Sequence, residues 1–261
     1  MRHVAHFALP AIVLASACSK PADQAPATAD STAAQPAAAP AAAAAPAGPQ
    51  AIVTVLYNWP KDTAAFEKYY PTHLKIVGDV QNEIGFSKAE LTKFVSTLDG
   101  KKPTYYRQAE LYFPSMEAAK KGMATEGFKK VGDDLKNFAS GGIVGLVATE
   151  TGEKSDATCP ALVTVIYNQP KDSAAFEQYY PTHLGLVGDV QSDIGFVRAD
   201  LTKFDSSLDG GAPAKYRQAE LCFPSLDAAK KGMATAGFKK VGDDLKNFAT
   251  GGLVGLVGTQ Q

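Results

Sequence analysis

The chain repeats itself. Residues 51–148 align with residues 161–258 at a constant offset of 110 without a gap, and 73 of the 98 positions are identical. AIVTVLYN answers to ALVTVIYN, and KKVGDDLKNFA recurs unchanged. So regular an offset means two copies of one structural unit of about 100 residues, each long enough to close a core. Any fold proposed for the first copy must therefore also serve the second, and the two must be able to sit side by side. The copies run over 51–150 and 161–261, with 151–160 as the linker between them.

Within one copy the hydrophobic period changes along the chain. Ala51 to Asn58 is a β-branched run and predicts a strand. Asp62 is a candidate N-cap for a helix on which Phe66, Tyr69, Tyr70, His73 and Val77 share a face. Pro71 removes an N–H inside that helix and predicts a kink or break, with a second short helix opening there. Ile84 to Val95 predicts a second strand, and the turn at Asp99-Gly100 leads to a third, Tyr105 to Phe113. Ser115 caps the next helix, and Phe128 to Phe138 continues the helical pattern with Val131, Leu135 and Phe138 turned inward. Gly141-Gly142 stops it before a last strand, Ile143 to Thr149. The order βαββαβ is that of the ferredoxin-like α+β fold. Such a sheet carries helices on one face and leaves the other bare. Because Tyr57 alternates with Val53 and Val55, that bare face is expected to be apolar, and a second copy can cover it. The duplication thus predicts an intramolecular dimeric α/β barrel.

The combination VTVLYN, FEKYY, a following His-Leu, RQAELYF and DDLKNFASGG resembles the EthD family, whose members form dimeric α/β barrels. The resemblance runs through both copies. Two residues, Pro71 and Thr72, separate the tyrosine pair from the histidine, one fewer than in many members. The resemblance implies a small apolar or aromatic guest, and either oxidoreductase-like or cofactor-free acid–base chemistry. The alternative is a non-catalytic periplasmic module that binds a ligand or a protein partner.

Residues that could carry chemistry are few. Apart from His3 and His6 near the start, the only histidines are His73 and His183, both in the hexapeptide YYPTHL. Histidine is the one side chain whose unperturbed pKa suits acid–base work near neutrality. These two are the candidate catalytic groups, with Tyr70 and Tyr180 shaping the pocket. The competing reading is a helix-end histidine packed on tyrosines and bonded to a backbone carbonyl. On the third strand Tyr106, Gln108, Glu110 and Tyr112 alternate with the core set Arg107, Ala109, Leu111 and Phe113. The first set is expected to face a cavity between the copies, making Tyr106, Tyr216, Glu110 and Glu220 candidate ligand-binding residues. A desolvated glutamate there would have a raised pKa; the competing reading is a half-solvated Glu–Lys pair. Asp133-Asp134 and Asp243-Asp244 lie in a lysine-bearing amphipathic helix and read as solvated acids. One histidine per copy makes no metal site, and no phosphate loop, dinucleotide fingerprint or nucleophile elbow is present, so no cofactor is expected.

The remaining signals concern place rather than chemistry. With 26 Lys+Arg against 27 Asp+Glu there is no basic footprint for nucleic acid. MRHVAHFALPAIVLASAC has a basic start and an apolar run from Phe7 to Leu14, the pattern of a signal peptide over residues 1–17. Leu14-Ala15-Ser16-Ala17-Cys18 resembles a bacterial lipobox, which implies a lipid on Cys18 and, with Ser19 next, an outer-membrane anchor facing the periplasm. Residues 18–50, mostly Ala and Pro, predict an unpacked tether. In this topology the first and third strands are antiparallel neighbours, which brings Cys159 near Cys222 and predicts a disulfide. The expected molecule is a membrane-tethered monomeric pseudo-dimer.

Overall fold

The computed structural model describes residues 49–152 and 159–261. The leader, Cys18, most of the Ala/Pro tether and the centre of the linker lie outside the described residues. Each unit is βαββαβ. The first holds β1 (Ala51–Tyr57), α1 (Thr63–Asp79), the one-turn α2 (Gln81–Ile84), β2 (Lys88–Thr97), β3 (Arg107–Phe113), α3 (Met116–Met123), α4 (Glu126–Asp134) and β4 (Ile143–Glu150). The second repeats it with β5 (Ala161–Tyr167), α5 (Ser173–Asp189), α6 (Gln191–Ile194), β6 (Arg198–Ser207), β7 (Arg217–Phe223), α7 (Leu226–Met233), α8 (Ala236–Asp244) and β8 (Leu253–Gln260). The strands close into one barrel in the order β1-β3-β2-β8-β5-β7-β6-β4, so the α+β barrel expected from the repeat is the fold. The units are joined twice, by β2 on β8 and β4 on β6. At each joint the register slips by one residue, a bulge that skips Val95 on β2 and Asp205 on β6.

Local chemistry explains most of the boundaries. The Asp62 carboxylate accepts from the Ala64 and Ala65 amides at 2.8 and 3.0 Å, opening α1. Ser115 and Thr125 cap α3 and α4 in the same way. Three details differ from the sequence expectation. α1 runs unbroken through Pro71 to Asp79, because Phe66 and Tyr70 before the proline and His73 after it bury on one face. Ile84 ends a helical turn rather than opening a strand: Gly85, at φ 84°, provides the left-handed cap, and β2 starts only at Lys88. Val53, Val55 and Tyr57 pack under the helices, whereas Ile52, Thr54 and Leu56 face the other unit.

The barrel interior is filled. Ile52, Leu56, Phe94, Tyr105, Tyr112, Leu146 and Ala148 meet Ile166, Phe204 and Leu256 across the unit boundary. Outside it, each helix layer packs on its own sheet face. α3 comes so close that a Cβ on Gly122 would lie 2.2 Å from the Ile84 carbonyl oxygen and 2.9 Å from the Phe113 ring; Gly232 has the matching contacts at 2.3 and 2.8 Å. Backbone cannot yield there as a side-chain tip can. Gly122→Ala is expected to destabilise the fold by about 1–3 kcal/mol. Gly132→Ala, in the last turn of α4 with nothing within 4 Å of its Cβ, is expected to stabilise it by about 0.5–1 kcal/mol. Guanidinium unfolding midpoints of the two variants check both signs.

Candidate functional site

The site grows out of α1. Tyr69 and His73 stand one helical turn apart, which places both over α4. His73 Nδ1 lies 2.8 Å from Asp134 Oδ2. The other oxygen of that carboxylate accepts from the Tyr69 hydroxyl at 2.7 Å and from Asn137 Nδ2 at 2.8 Å. In the second unit His183, Asp244, Tyr179 and Asn247 repeat the arrangement at 2.8, 2.8 and 2.7 Å. A carboxylate can only accept, so the imidazole proton sits on Nδ1 and Nε2 presents its lone pair. The histidine ring also packs on Phe138, or Phe248 in the second unit, with centroids 4.6 Å apart.

Burial pushes the pKa of His73 and His183 below the usual 6.5, outweighing the aspartate that pulls it up. Burial raises the Asp134 carboxyl too, but the hydrogen bonds from Tyr69, His73 and Asn137 together hold it below its ordinary value. At neutral pH the pair is therefore a neutral imidazole on a charged carboxylate, an arrangement that orients a general base. Asp244→Asn removes the one influence raising the His183 pKa. Its titration, followed by NMR, is expected to move to still lower pH while that of His73 stays put.

Each histidine opens on a cavity between the helices and the outer face of the sheet. The cavity of the second unit is ≈ 270 Å³ and that of the first ≈ 220 Å³. Small residues make the room: Ala89, Ala109 and Gly78 in one, Ala199, Ala219 and Gly188 in the other. The rest of each wall is chiefly aliphatic and aromatic. The polar contributions come from the histidine, Gln81 or Gln191, and two tyrosines, Tyr57 and Tyr70 or Tyr167 and Tyr180. Burial raises the pKa of all four tyrosines, so they stay protonated. The Arg107 guanidinium lies over the Tyr70 ring at 4.7 Å and is itself held by Glu67 at 2.7 Å.

The structure separates the residues nominated from the sequence. His73 and Tyr70 share a cavity, as do His183 and Tyr180. Glu110 and Glu220 do not reach it; they point into the barrel on the opposite side of the sheet, where Gln218 Nε2 donates to Glu110 and Gln108 Nε2 to Glu220, each at 3.0 Å. Tyr106 and Tyr216 lie elsewhere again. Their hydroxyls donate to Glu67 and Glu177, and their rings pack on Phe66 and Phe176 at 5.1 and 4.9 Å. The barrel-facing position that alternation assigned to Tyr106 is taken by Tyr105, because Tyr106 precedes β3 and turns out to meet Glu67. The reading of Asp134 and Asp244 as solvated acids is corrected: Asp134 is 8% exposed and anchors the histidine. Asp133 and Asp243 do lie on the exposed face. Sequence reasoning also passed over Tyr57 and Tyr167. The usable signal was DDLKN recurring unchanged, since Asp134 and Asn137 fall on the helix face that meets Tyr69 and His73. Cys159 and Cys222 are joined by a disulfide, with Cα atoms 5.4 Å apart. Among the described residues no group of three His, Cys, Asp or Glu could hold a metal, and no helix is long and apolar enough to cross a membrane.

Comparison with known proteins agrees with this duplicated architecture. The EthD domain pattern matches twice, over residues 58–142 and 168–252. An uncharacterized 11.0 kDa protein of the thcB-thcC intergenic region of Rhodococcus erythropolis is 34% identical over 99 residues, 38% of this chain and 92% of that protein. An EthD family protein from Bacillus halodurans shares 24% identity over 41% of this chain and 99% of its own, with a TM-score of 0.35. Two likenesses span both units: a candidate monooxygenase from Fusobacterium nucleatum (10% identity, 81% of this chain and 92% of that one, TM-score 0.52) and an anthrone oxidase-like protein (12%, 82% and 91%, 0.51). At such identities these two show the barrel fold alone. The two domain matches, over most of both units, establish that the chain is a tandem member of the EthD family.

Proposed function

We propose that each unit takes up a small, largely apolar or aromatic molecule in its helix–sheet cavity, and that the His–Asp pair receives a hydrogen-bonding group of that guest and moves a proton on it. The observation that carries this reading is a neutral, carboxylate-oriented imidazole opening on an otherwise apolar cavity. A volume of ≈ 270 Å³ falls just below the usual span of small-molecule sites, about 300–1,000 Å³, so the guest is compact. His183 and His73 act as acid–base groups through Nε2, with Tyr167 and Tyr57 as hydroxyl donors beside them. The chemistry that fits these side chains is proton transfer without a cofactor; an oxidoreductase step within the EthD family is the second possibility.

The first test is a fluorescence titration of residues 49–261 with 2-naphthol and with naphthalene. Saturable binding of both is expected, tighter for the naphthol, whose hydroxyl can donate to Nε2. His73→Ala with His183→Ala is expected to remove that preference, about tenfold in affinity for one buried hydrogen bond. As the pH falls through the lowered histidine pKa, Nε2 becomes protonated and the preference is lost as well. Absence of saturable binding of either compound would contradict the reading.

The same proposal covers location. The leader pattern at residues 1–18 supports an exported lipoprotein anchored at the outer membrane and facing the periplasm. The Cys159–Cys222 disulfide supports an oxidising compartment. Cys18→Ala is expected to move the protein from the membrane fraction to the soluble fraction; unchanged partition would contradict the lipid anchor.

A further inference from the structure

We infer that Leu98, carried by the first unit, sets the size of guest that the cavity of the second unit accepts. This rests on reading that cavity as a binding site. Leu98 follows directly after β2, and β2 is one of the strands that crosses onto the other unit. Its amide donates to the Gly255 carbonyl on β8 at 3.3 Å. A Cβ on Gly255 would lie 2.4 Å from Leu98 Cδ1, so this leucine fills the space that a side chain on β8 would have occupied. From there it packs on the apolar cluster of the second unit and lines the same cavity as His183.

The arm that presents it is tightly built. The Gly100 amide donates to the Thr97 carbonyl at 3.0 Å, the Thr97 amide to the Lys101 carbonyl at 2.9 Å, and Gly100 takes φ 78°. Trp59 Nε1 donates to the Pro103 carbonyl at 2.7 Å, and Lys102 Nζ sits 3.8 Å over the Trp59 ring. In the second unit Gln169 makes the matching bond, its Nε2 donating to the Pro213 carbonyl at 2.9 Å, and only the cation over the ring has no counterpart, Ala212 standing in place of Lys102. The reciprocal arm seats Leu208 against Gly145 and on the cluster of the first unit, yet Leu208 is not among the residues that line its cavity. The two sites are therefore unequal. The larger one is built from both units, which gives the duplication a use beyond closing the barrel.

The test uses residues 49–261 with two probes, 2-naphthol and the longer 2-hydroxyanthracene, and two variants at matching positions. Leu98→Ala is expected to tighten 2-hydroxyanthracene about tenfold, the change for roughly two more buried methylene equivalents. Leu208→Ala is expected to leave both probes as in the parent. Independently of any guest, opening the wall to water is expected to bring the His183 titration up toward 6.5 in Leu98→Ala and to leave His73 where it was. Unchanged 2-hydroxyanthracene affinity with an unchanged His183 titration, or the same effects from Leu208→Ala, would overturn the inference. If the parent binds neither probe, the binding reading fails instead, and the His183 titration alone decides whether Leu98 walls the cavity.

Discussion

A chain holding only the first unit, residues 49–152, is expected to self-associate and not to persist as a folded monomer. In the intact molecule the outer edges of its sheet are β2 and β4, and each is paired by the second unit. Cut loose, both edges would present unpaired backbone groups that invite another strand. The inward face would also lie open, with Ile52, Leu56, Phe94, Tyr105, Tyr112, Leu146 and Ala148 meeting water. An apolar surface of that kind is a docking surface and is not tolerated on a soluble monomer. A second copy of the unit, placed by the same twofold relation, would restore both joints and the core. The relative from Rhodococcus erythropolis is about one unit long. Light scattering on the purified unit is expected to give a dimer or larger species. A stable, cooperatively folding monomer would mean that the inter-unit joints contribute little.

The double variant Glu110→Gln, Glu220→Gln is expected to be more stable than the parent above neutrality, by on the order of 3 kcal/mol at pH 8. Burial, and then nearby carboxylates, raise the pKa of both glutamates in the folded state. Glu90 and Asp200 add negative charge, partly met by Lys88 on Glu90 at 2.6 Å and Arg198 on Asp200 at 2.8 Å; Tyr112 contributes a hydroxyl. The folded chain thus keeps protons that the unfolded chain releases near pH 4.5. Since the folded state binds more protons, stability falls as pH rises from there through the elevated folded pKa. Two amide oxygens, Gln108 Oε1 and Gln218 Oε1, are buried beside the glutamates without a partner. The amide oxygen of a glutamine at 220 or 110 can accept the same bonds from Gln108 and Gln218 Nε2, and a glutamine does not titrate. The buried histidines act in the other direction: their lowered pKa makes stability fall as pH drops below 6.5, equally in parent and variant. Denaturant unfolding at pH 5 and pH 8 is expected to show a smaller loss in the variant. Equal losses would mean that the pair is not protonated in the fold.

The fold was legible because a constant offset of 110 and a shift between strand and helix periods are properties of the chain itself. The site was legible only where chemistry is rare along the sequence. His73 and His183 stood out because so few histidines exist. Asp134 did not, because an acid in a lysine-bearing helix looks solvated until Tyr69 and His73 are placed above it. Glu110 and Glu220 were rightly placed on the face between the units, but sequence alternation could not show that Phe94, Phe204 and Leu256 fill that space. Tyr106 departs for a narrower reason: β3 begins only at Arg107, so strand alternation does not extend to it. The cavity itself arises from what is missing from side chains, at Ala109, Ala219, Gly78 and Gly188, and small residues give no signal until helices are laid over them.

The most direct measurement is a long-range ¹H–¹⁵N spectrum of the histidine ring nitrogens, with and without saturating 2-naphthol. On binding, Nε2 of His183 and His73 is expected to shift while Nδ1 keeps its proton toward Asp244 and Asp134. If naphthol instead left both rings unmoved and perturbed the side-chain amides of Gln108 and Gln218, the guest would lie inside the barrel, and the helix–sheet cavity would not be the site.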